Sequence, residues 1–238
     1  MSDSICAFGD SIMKGVVYDS FKGKYIYSDN SFAKSFAEET GFAVDNYAKF
    51  GCTLGKGERI IEKYYTKLSQ YRFIVLEFGG NDCDFLWQDI SDNPLGKHFP
   101  NTPLDTFERI YSQTIDRLRA KKCRPILFSL PPLDPQRYFS WLSKGLNADN
   151  ILKWLGEVEF IYKWQEMYSD AVVKLAKSKE VPLIDIRSAF LNSQNYKDLL
   201  CDDGIHPNEA GHSLIFETIR KYISRIKDFD PAKSSAQP

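Results

Sequence analysis

The sequence lacks an excess of charge of either sign, which limits the partners that it can be expected to have. Its 31 lysine and arginine residues are balanced by 32 aspartate and glutamate residues, so the formal net charge is −1. Surfaces that bind nucleic acids or acidic membranes carry clusters of basic residues, and no basic cluster interleaved with aromatic residues occurs here. The sequence therefore predicts neither a nucleic-acid partner nor an acidic membrane partner.

Cysteine is also scarce, because the 238 residues include only five. The five lie far apart and form no Cys-x-x-Cys pair, at Cys6, Cys52, Cys83, Cys123 and Cys201. An odd number of scattered cysteines in a chain of this length is not typical of a disulfide framework, and without a Cys-x-x-Cys pair no zinc site is predicted. We expect buried free thiols, most clearly at Cys6 and Cys123, which lie in or beside apolar strand candidates.

Three further features are absent from the sequence. No apolar run is long enough to span a bilayer. The first residues lack the basic segment and apolar core of a signal peptide, so we expect a cytoplasmic protein, unless such a peptide was removed before this N-terminus. No linker rich in glycine, serine or proline divides the chain. We therefore expect one domain over residues 1–227 and a polar tail over residues 228–238.

What the sequence does contain is a regular alternation of apolar strand candidates with helix signals. The candidate strands are mostly continuous apolar runs, which is typical of strands buried on both faces of a parallel sheet. They are Ile5–Phe8, Ala43–Ala48, Phe73–Gly80, Pro125–Leu130 and Pro182–Ile186. This alternation predicts an α/β protein, a three-layer α/β/α sandwich around a mostly parallel five-stranded sheet.

Helix signals occupy the segments between these strands. Ser31 is a candidate N-cap for a helix that ends at Gly41. Thr102 is a candidate N-cap for a helix with Pro103 at its first position. Helical spacing of apolar residues predicts three further helices, over Lys56–Leu68, over Glu157–Lys179 and after Pro207.

Polar residues follow three of the predicted strands and precede the last helix. Gly9-Asp10-Ser11 follows the first strand, and Gly51 follows the second. The third strand runs into Asn81, and an Asp203-x-x-His206 pair precedes the last helix. Because ligands of such sheets bind outside the carboxyl ends of the strands, we expect these residues to meet at one edge of the sheet.

These residue types have a joint chemical use in acyl transfer. The hydroxyl of Ser11 is a weak nucleophile until a base removes its proton. His206 can be that base, since an imidazole titrates near neutral pH, and Asp203 can reach back across one turn to orient it. The intermediate also needs hydrogen-bond donors for its negatively charged oxygen. Candidates are the backbone amides of Ser11 and Gly51 and the side-chain amide of Asn81.

The four blocks FGDSI, NYAKFG, GGND and DGIHP, taken in this order, resemble those of the GDSL, or SGNH, hydrolase family. The resemblance runs from the first strand to the last helix, with Ile12 in place of the leucine of the family name. It implies a flavodoxin-like fold and ester hydrolysis through an acyl-enzyme, with no metal or organic cofactor. It also implies Ser11 as nucleophile, His206 as base and Asp203 as orienting acid, with an oxyanion hole formed by Ser11, Gly51 and Asn81.

Several neighbouring polar residues have simpler interpretations. Asp202 is an alternative to Asp203, although the Asp-x-x-His spacing favours Asp203. Asp10 and Asp82 are expected to brace loops by accepting backbone hydrogen bonds. His212 is expected to pack on the last helix or to be exposed there. No pattern links His206 to the remaining candidates, which are Asp185, His98, Cys52 and Cys83.

Two aromatic segments, residues 83–101 and 131–157, follow the third and fourth strands. Their aromatic side chains are expected either to line an acyl or sugar site or to pack over the sheet edge or in a dimer contact, and the sequence leaves this open. The side chains concerned are Phe85, Trp87, Tyr138, Phe139, Trp141 and Trp154.

The predicted function is that of a serine hydrolase acting on a small-molecule ester, either a lipid or an acylated carbohydrate. A thioesterase or acyltransferase would use the same residues. A non-catalytic binding module of the same fold is a further alternative. A flavin- or nucleotide-binding protein is disfavoured because GDSIMKG has too few glycines to form a phosphate-binding loop. The sequence predicts no oligomeric state.

Overall fold

The computed structural model describes residues 4–225, so the predicted tail over residues 228–238 lies outside the described residues. Within that range the strands are β1 (Ser4–Gly9), β2 (Val16–Asp19), β3 (Lys24–Tyr27), β4 (Ala43–Asn46), β5 (Phe73–Glu77), β6 (Pro125–Phe128) and β7 (Leu183–Ile184). The order β4-β1-β5-β6-β7 forms one sheet in which every neighbouring pair is parallel. This is the flavodoxin-like strand order, in which the chain reverses direction across the sheet beside the first strand.

Helices cover both faces of the sheet. They are α1 (Ser11–Lys14), α2 (Phe32–Thr40), α3 (Leu54–Tyr64), α4 (Trp87–Asp92), α5 (Leu104–Ala120), α6 (Pro135–Leu142), α7 (Ala148–Leu155), α8 (Glu159–Ser178), α9 (Ile186–Leu191) and α10 (Glu209–Ile223). Two 3₁₀ turns lie at Tyr65–Gln70 and Tyr196–Leu199. The predicted three-layer α/β/α sandwich is therefore confirmed.

Two hydrophobic cores lie on opposite faces of the sheet, because successive side chains of a strand point to opposite sides. In β1, Cys6 and Phe8 pack on one face, and Ile5 and Ala7 pack on the other. The first face is covered by apolar residues of α3, α5 and α8, and the second by those of α2, α9 and α10. Every residue of β5 is buried, as expected for a central strand covered on both sides.

Four of the five predicted strands end earlier in the structure because turns begin inside the predicted ranges, whereas β1 extends one residue further, to Gly9. The second predicted strand ends at Asn46, whose side-chain oxygen accepts a hydrogen bond from the Ala48 amide at 3.0 Å. The third ends at Glu77, ahead of a turn in which Gly79 has a φ of +136°. The fourth and fifth are also short, at Pro125–Phe128 and Leu183–Ile184. The residues beyond the strand ends still include core side chains, such as Phe78, Leu130 and Ile186.

Helix boundaries differ in similar ways. Thr102 does not cap α5, because its hydroxyl donates to the Asp82 carboxylate at 2.6 Å and Pro103 stands at the N-cap instead. Ser31 stands at the N-cap of α2 but makes no capping bond, since its side chain packs where a Cβ on Gly15 would lie. The Lys56–Leu68 prediction corresponds to α3 and the following 3₁₀ turn, and the Glu157–Lys179 prediction corresponds to α8.

Some elements were not predicted from the sequence. The most consequential is the antiparallel hairpin of β2 and β3, which follows α1 directly. The helices α4, α6 and α7 were also missed, and they lie within the two aromatic segments. None of the helices within residues 4–225 is long and apolar enough to cross a membrane.

Candidate active site

Three side chains that are distant in the sequence form a hydrogen-bonded chain at the edge of the sheet. The Nε2 atom of His206 lies 2.8 Å from the Ser11 hydroxyl oxygen, and its Nδ1 atom lies 2.5 Å from the Asp203 Oδ2 atom. All three side chains are buried in the protein. A hydroxyl, an imidazole and a carboxylate in this arrangement form the pattern that activates serine in hydrolases.

The end of β1 positions Ser11. Gly9 pairs with Glu77 of β5, and the chain then leaves the sheet into α1, with Ser11 as its first residue. Asp10 is the N-cap, and its Oδ1 atom accepts a hydrogen bond from the Ile12 amide at 2.9 Å. A Cβ on Gly9 would lie 2.7 Å from the Glu77 carbonyl oxygen, so only glycine fits at this close crossing.

A tight loop before α10 positions Asp203 and His206. Asp203 Oδ1 accepts hydrogen bonds from the amides of Ile205 and His206, each at 3.1 Å. The loop needs Gly204, whose φ is +76° and where a Cβ would lie 2.8 Å from the Asp134 carbonyl oxygen. The amide hydrogen bonds to Asp203 and the close approach at Gly204 hold the carboxylate and the imidazole in a fixed relative position.

The electrostatics of the pair favour an ionised Asp203. Burial alone raises the pKa of a carboxyl group, but the hydrogen bond and charge of His206, together with the two amides, bring the Asp203 pKa below its usual value. The alternative orienting residue, Asp202, is directed away, because its carboxylate accepts a hydrogen bond from Ser20 on the surface. The structure therefore associates Asp203, and not Asp202, with the imidazole.

Asn81 lies beside Ser11 at the end of β5. Its side-chain amide donates a hydrogen bond to the Asp10 Oδ2 atom at 2.8 Å, and both Asn81 and Ser11 line the same cavity. The Ser11 amide stands at the first position of α1, where helical backbone N–H groups have no acceptor within the helix. Two of the three residues predicted to supply oxyanion donors thus line the same cavity.

Gly51, the third predicted donor, lies in the loop between β4 and α3. This loop is tied to the end of β1, since the Lys49 amide donates to the Gly9 carbonyl oxygen at 3.1 Å. Gly51 has a φ of +66°, a conformation that favours glycine. It does not appear among the described residues that line the cavity, whereas its neighbour Phe50 does.

A second carboxyl group, Glu77, lies directly beneath Asp10. Its Oε2 atom accepts hydrogen bonds from the amides of Asp10 and Met13, each at 3.3 Å. Asp10 and Glu77 are both buried, with a relative exposure of 1 % each. Burial and the nearby Asp10 charge raise the pKa of Glu77 well above its usual value, so Glu77 is the member of the pair that holds a proton. No pattern in the sequence marks Glu77 as a site residue.

Asp82 braces the neighbouring loop, as expected. Both of its carboxylate oxygens accept from the Leu54 amide, at 2.9 and 3.0 Å, and one also accepts from Thr102. Burial raises the pKa of Asp82 to about 6. These contacts attach the loop after β5, which carries Asn81, to the start of α3.

Aromatic residues of the unpredicted hairpin and of the β4–α3 loop cover His206. The ring of Tyr25 lies 5.0 Å from the imidazole, and the ring of Phe50 stacks on it at 6.0 Å. Burial, the Asp203 charge and a hydrogen bond to Asp203 raise the pKa of Tyr25. The alternation in KYIY and the turn at Gly23 were the sequence signals for this hairpin.

A cavity of about 700 Å³ opens onto Ser11 and His206. Five of the six aromatic residues considered in the sequence line it, and Phe139 does not. The five are Phe85, Trp87, Tyr138, Trp141 and Trp154. The structure thus places the two aromatic segments around the same cavity as the serine, as one of the two sequence interpretations had it.

His98 lines the same cavity, where its ring lies 5.7 Å from that of Trp154, whereas the other remaining candidates lie elsewhere or are chemically unsuited. Asp185 accepts hydrogen bonds from Ser129 and Ser188, and His212 is fully buried on α10. Burial raises the pKa of Cys52 to about 11 and that of Cys83 well above its usual value, so both thiols stay protonated at neutral pH. Among residues 4–225, no group of three or more His, Cys, Asp or Glu side chains is arranged to hold a metal ion.

Similar proteins were found by sequence and by structure. The plant protein GDSL esterase/lipase WDL1 of Oryza sativa subsp. japonica is 25 % identical over 177 residues, which is 73 % of this chain and 62 % of the rice protein. GDSL esterase/lipase CPRD49 of Arabidopsis thaliana is 23 % identical over 75 % of this chain and 65 % of its own length. The chain thus matches less than two thirds of the length of either plant relative.

Solved structures share the fold at lower identity. A lipase/acylhydrolase from Enterococcus faecalis superposes with a TM-score of 0.65 at 20 % identity, over 94 % of this chain and 95 % of the other. The acetyl xylan esterase AlAXEase superposes with a TM-score of 0.62 at 18 % identity, over 92 % and 98 %. The profile of the GDSL-like Lipase/Acylhydrolase family matches residues 7–214, which include all four blocks. The chain therefore belongs to the GDSL-like lipase/acylhydrolase family.

Proposed function

We propose that the protein hydrolyses carboxylic esters of small molecules through an acyl-enzyme on Ser11. The observation that carries this proposal is the continuous hydrogen-bonded chain from the Ser11 hydroxyl through His206 to Asp203, at 2.8 and 2.5 Å. That chain opens onto a cavity large enough for a small ester. Membership of the family supports the same reaction class.

In the first half of the reaction, His206 removes the Ser11 proton as the hydroxyl oxygen attacks the ester carbonyl. The tetrahedral intermediate formed by this attack then collapses to the acyl-enzyme. The alcohol leaves with the proton that His206 returns to it. In the second half, a water molecule attacks the acyl-enzyme by the same route and releases the acid. Asp203 accepts a hydrogen bond from the Nδ1–H group of His206, which leaves Nε2 free to take the Ser11 proton. Its negative charge also stabilises the imidazolium that forms.

The negative charge that develops on the carbonyl oxygen needs donors that are already in position. The Ser11 amide and the Asn81 side-chain amide are our primary candidates, since both lie at the cavity. Gly51 is a third candidate, and its amide needs to face the cavity for that role. The glycine conformation and the tie of its loop to β1 support this placement.

Ser11→Ala is the direct test of this function. We expect hydrolysis of p-nitrophenyl acetate to fall by at least about 10³-fold, since the nucleophile is lost. Ser140→Ala changes an exposed serine of α6 and is the matched control, with wild-type activity expected. A fluorophosphonate probe should label wild type and Ser140→Ala but not Ser11→Ala. Full activity of a folded Ser11→Ala protein would end the proposal.

The alternatives from the sequence give different outcomes in the same assays. A thioesterase would prefer acyl thioesters to the matched oxygen esters, and an acyltransferase would transfer the acyl group to an added alcohol faster than to water. A binding module would neither turn over esters nor react with the probe. Our proposal is separated from all three by reaction of Ser11 together with two results: preference for oxygen esters over the matched thioesters, and transfer to water that is not outpaced by transfer to an added alcohol.

A further inference from the structure

The cavity beside Ser11 has an uneven distribution of charged groups. Two carboxylates, Asp10 and Asp84, and two histidines, His98 and His206, line it, whereas none of its lining residues within the described part of the chain is a lysine or an arginine. The rest of the wall is mainly apolar and aromatic. Low-dielectric walls that carry charge of one sign strengthen the field inside a cleft and favour ligands of the opposite sign.

Asp84 is the carboxylate of this wall that the catalytic machinery does not use. Its Oδ1 atom accepts a hydrogen bond from the Trp87 indole nitrogen at 2.8 Å, and the Tyr138 hydroxyl donates a second one. Both donors are neutral, and no cationic side chain pairs with Asp84 among residues 4–225. Burial raises the pKa of Asp84 above its usual value, because a carboxylate removed from bulk water without a counter-ion is costly. A ligand that brings a positive charge would favour the ionised form and gain from this site.

The side chains around Asp84 suit a cation that is weakly hydrated. Phe85, Trp87 and Trp154 lie together, with ring centroids 5.0 to 6.4 Å apart, and all three line the cavity. The faces of indole and phenyl rings attract alkylammonium groups, and this attraction is stronger where water is excluded. An ammonium group bearing methyl groups would also fill apolar space that a hydrated sodium ion could not.

Asp84 is also close to the reacting centre along the chain. It follows Asn81 by only three residues, and a chain of that length spans at most about 11 Å. Ser11, Asn81 and Asp84 also line one cavity, so a single ligand can have its ester carbonyl at Ser11 and its charged group at Asp84. This spacing makes the aromatic pocket part of the same site rather than a separate one.

We propose that Asp84, Phe85, Trp87 and Trp154 form a subsite for an alkylammonium group carried by the ester substrate. This inference rests on the proposed ester hydrolysis, and it names a class of substrate for it: short esters with a quaternary or tertiary ammonium group in the alcohol or the acyl part. Esters with phosphate or carboxylate groups, including coenzyme A thioesters, are disfavoured because their charge repels Asp84.

The first test measures binding without turnover. Phenyltrimethylammonium and its neutral isostere tert-butylbenzene differ in one atom at the centre of the same shape. We expect the cation to bind the Ser11→Ala protein at least about tenfold more tightly, measured by calorimetry and by quenching of tryptophan fluorescence. Equal or weaker binding of the cation would overturn the proposal, and this outcome is independent of whether the protein is a hydrolase.

The second test uses Asp84→Asn in the Ser11→Ala background. The asparagine keeps the shape of the side chain but removes its charge, so the cation should lose most of its advantage while the neutral isostere binds as before. Asp89→Asn makes the same charge change at an exposed site on α4 outside the cavity, and it should leave both affinities unaltered. The aromatic rings can retain a small cation preference in this variant, so a preference that is undiminished in Asp84→Asn would overturn the assignment to Asp84.

The third test concerns turnover by the wild-type protein and needs no variant. Acetylcholine and 3,3-dimethylbutyl acetate form a matched pair for the alcohol part. The p-nitrophenyl esters of 4-(trimethylammonio)butyric acid and 5,5-dimethylhexanoic acid form one for the acyl part. We expect kcat/KM to favour the cationic member of at least one pair by about tenfold or more. Preference for the neutral member in both pairs overturns the proposal, and turnover of neither member in either pair counts against the proposed function instead.

Discussion

The carboxyl pair beneath Ser11 shows how single residues hold the site in shape. Asp10 accepts hydrogen bonds from Ile12 at the start of α1 and from the Asn81 side chain after β5, so it links the ends of two neighbouring strands. Glu77 lies beneath Asp10, and its carboxyl group accepts a hydrogen bond from the Asp10 backbone amide. A hydrogen bond to Asp10, which is itself held in place, therefore positions the Asn81 side-chain amide in addition to packing.

Asn81→Ala tests the contribution of that amide group. We expect kcat to fall by about 10²–10³-fold, as for other single oxyanion donors, with a smaller change in KM. The exposed Asn192→Ala variant is the matched control and should keep its activity. An unaltered kcat in Asn81→Ala would remove the side chain from the oxyanion hole.

Glu77→Gln tests the protonation state of the buried pair. If Glu77 carries the proton at neutral pH, glutamine replaces a neutral carboxyl group with a neutral amide of the same shape. We therefore expect kcat at pH 7 to stay within about threefold of wild type, whereas Asp10→Asn disturbs the acceptor of Asn81 and lowers kcat by about tenfold or more. A loss of about 10²-fold in Glu77→Gln would mean that Glu77 acts as a carboxylate.

At the scale of elements, the hairpin of β2 and β3 contributes more to the site than its length suggests. It brings Tyr25 over His206, and Tyr25 also packs against Trp141 of α6 and Phe50 at the rim of the cavity. The hairpin therefore joins the loop that carries His206 to the aromatic wall of the cavity. Its alternating pattern was visible in the sequence, but its position over His206 depends on the packing of α6 against it.

Helix α10 carries a buried histidine that makes stability depend on pH. His212 is fully buried and stacks on Phe32 of α2 at 5.6 Å. Burial lowers its pKa to about 4, below the ordinary value of 6.5 that the unfolded chain has. As the pH falls from 6.5 to 4, the unfolded state binds a proton that the folded state does not, so folding stability is lost over that interval.

His212→Leu tests this effect. The loss attributable to His212 between pH 6.5 and pH 4 is about 3 kcal/mol, and the variant should lack it. Urea unfolding measured at pH 7.0, 6.0, 5.0 and 4.5 gives the free energy of unfolding for both proteins. Carboxylates such as Asp203 also weaken the fold in acid, but they are common to both, so the difference between the curves reports His212. Parallel curves would contradict the prediction.

At the scale of the whole molecule, all five cysteines are buried free thiols. Burial raises the pKa of each, which leaves little reactive thiolate at neutral pH. We expect a thiol reagent at pH 7 to modify less than about one thiol per native molecule within minutes and all five after unfolding in urea. Rapid stoichiometric labelling of the native protein would show that one of these thiols is accessible.

Much of the architecture could be predicted because it depends on local pattern. Continuous apolar runs such as the one in β5 indicate a strand covered on both faces, and Gly41 marks the end of α2 by its left-handed conformation. Strand ends were less accurate, because side-chain hydrogen bonds such as that of Asn46 stop a strand inside an otherwise suitable sequence. The positions of Ser11, Asn81, Asp203 and His206 at the sheet edge followed from the strand order.

The sequence by itself determined the α/β class, the order of the four blocks and the residue types that they bring to the edge of the sheet. Only the tertiary structure decided that His206 meets Ser11 across 195 positions and that Glu77 lies beneath Asp10. It also decided that Asp84 lines an aromatic cavity in which, among residues 4–225, no lysine or arginine pairs with it. The physical reason is the distance along the sequence over which each kind of interaction acts. Periodicity, capping and turn chemistry act within a few residues, whereas burial, desolvation and charge balance depend on which distant segments the packed core brings into contact.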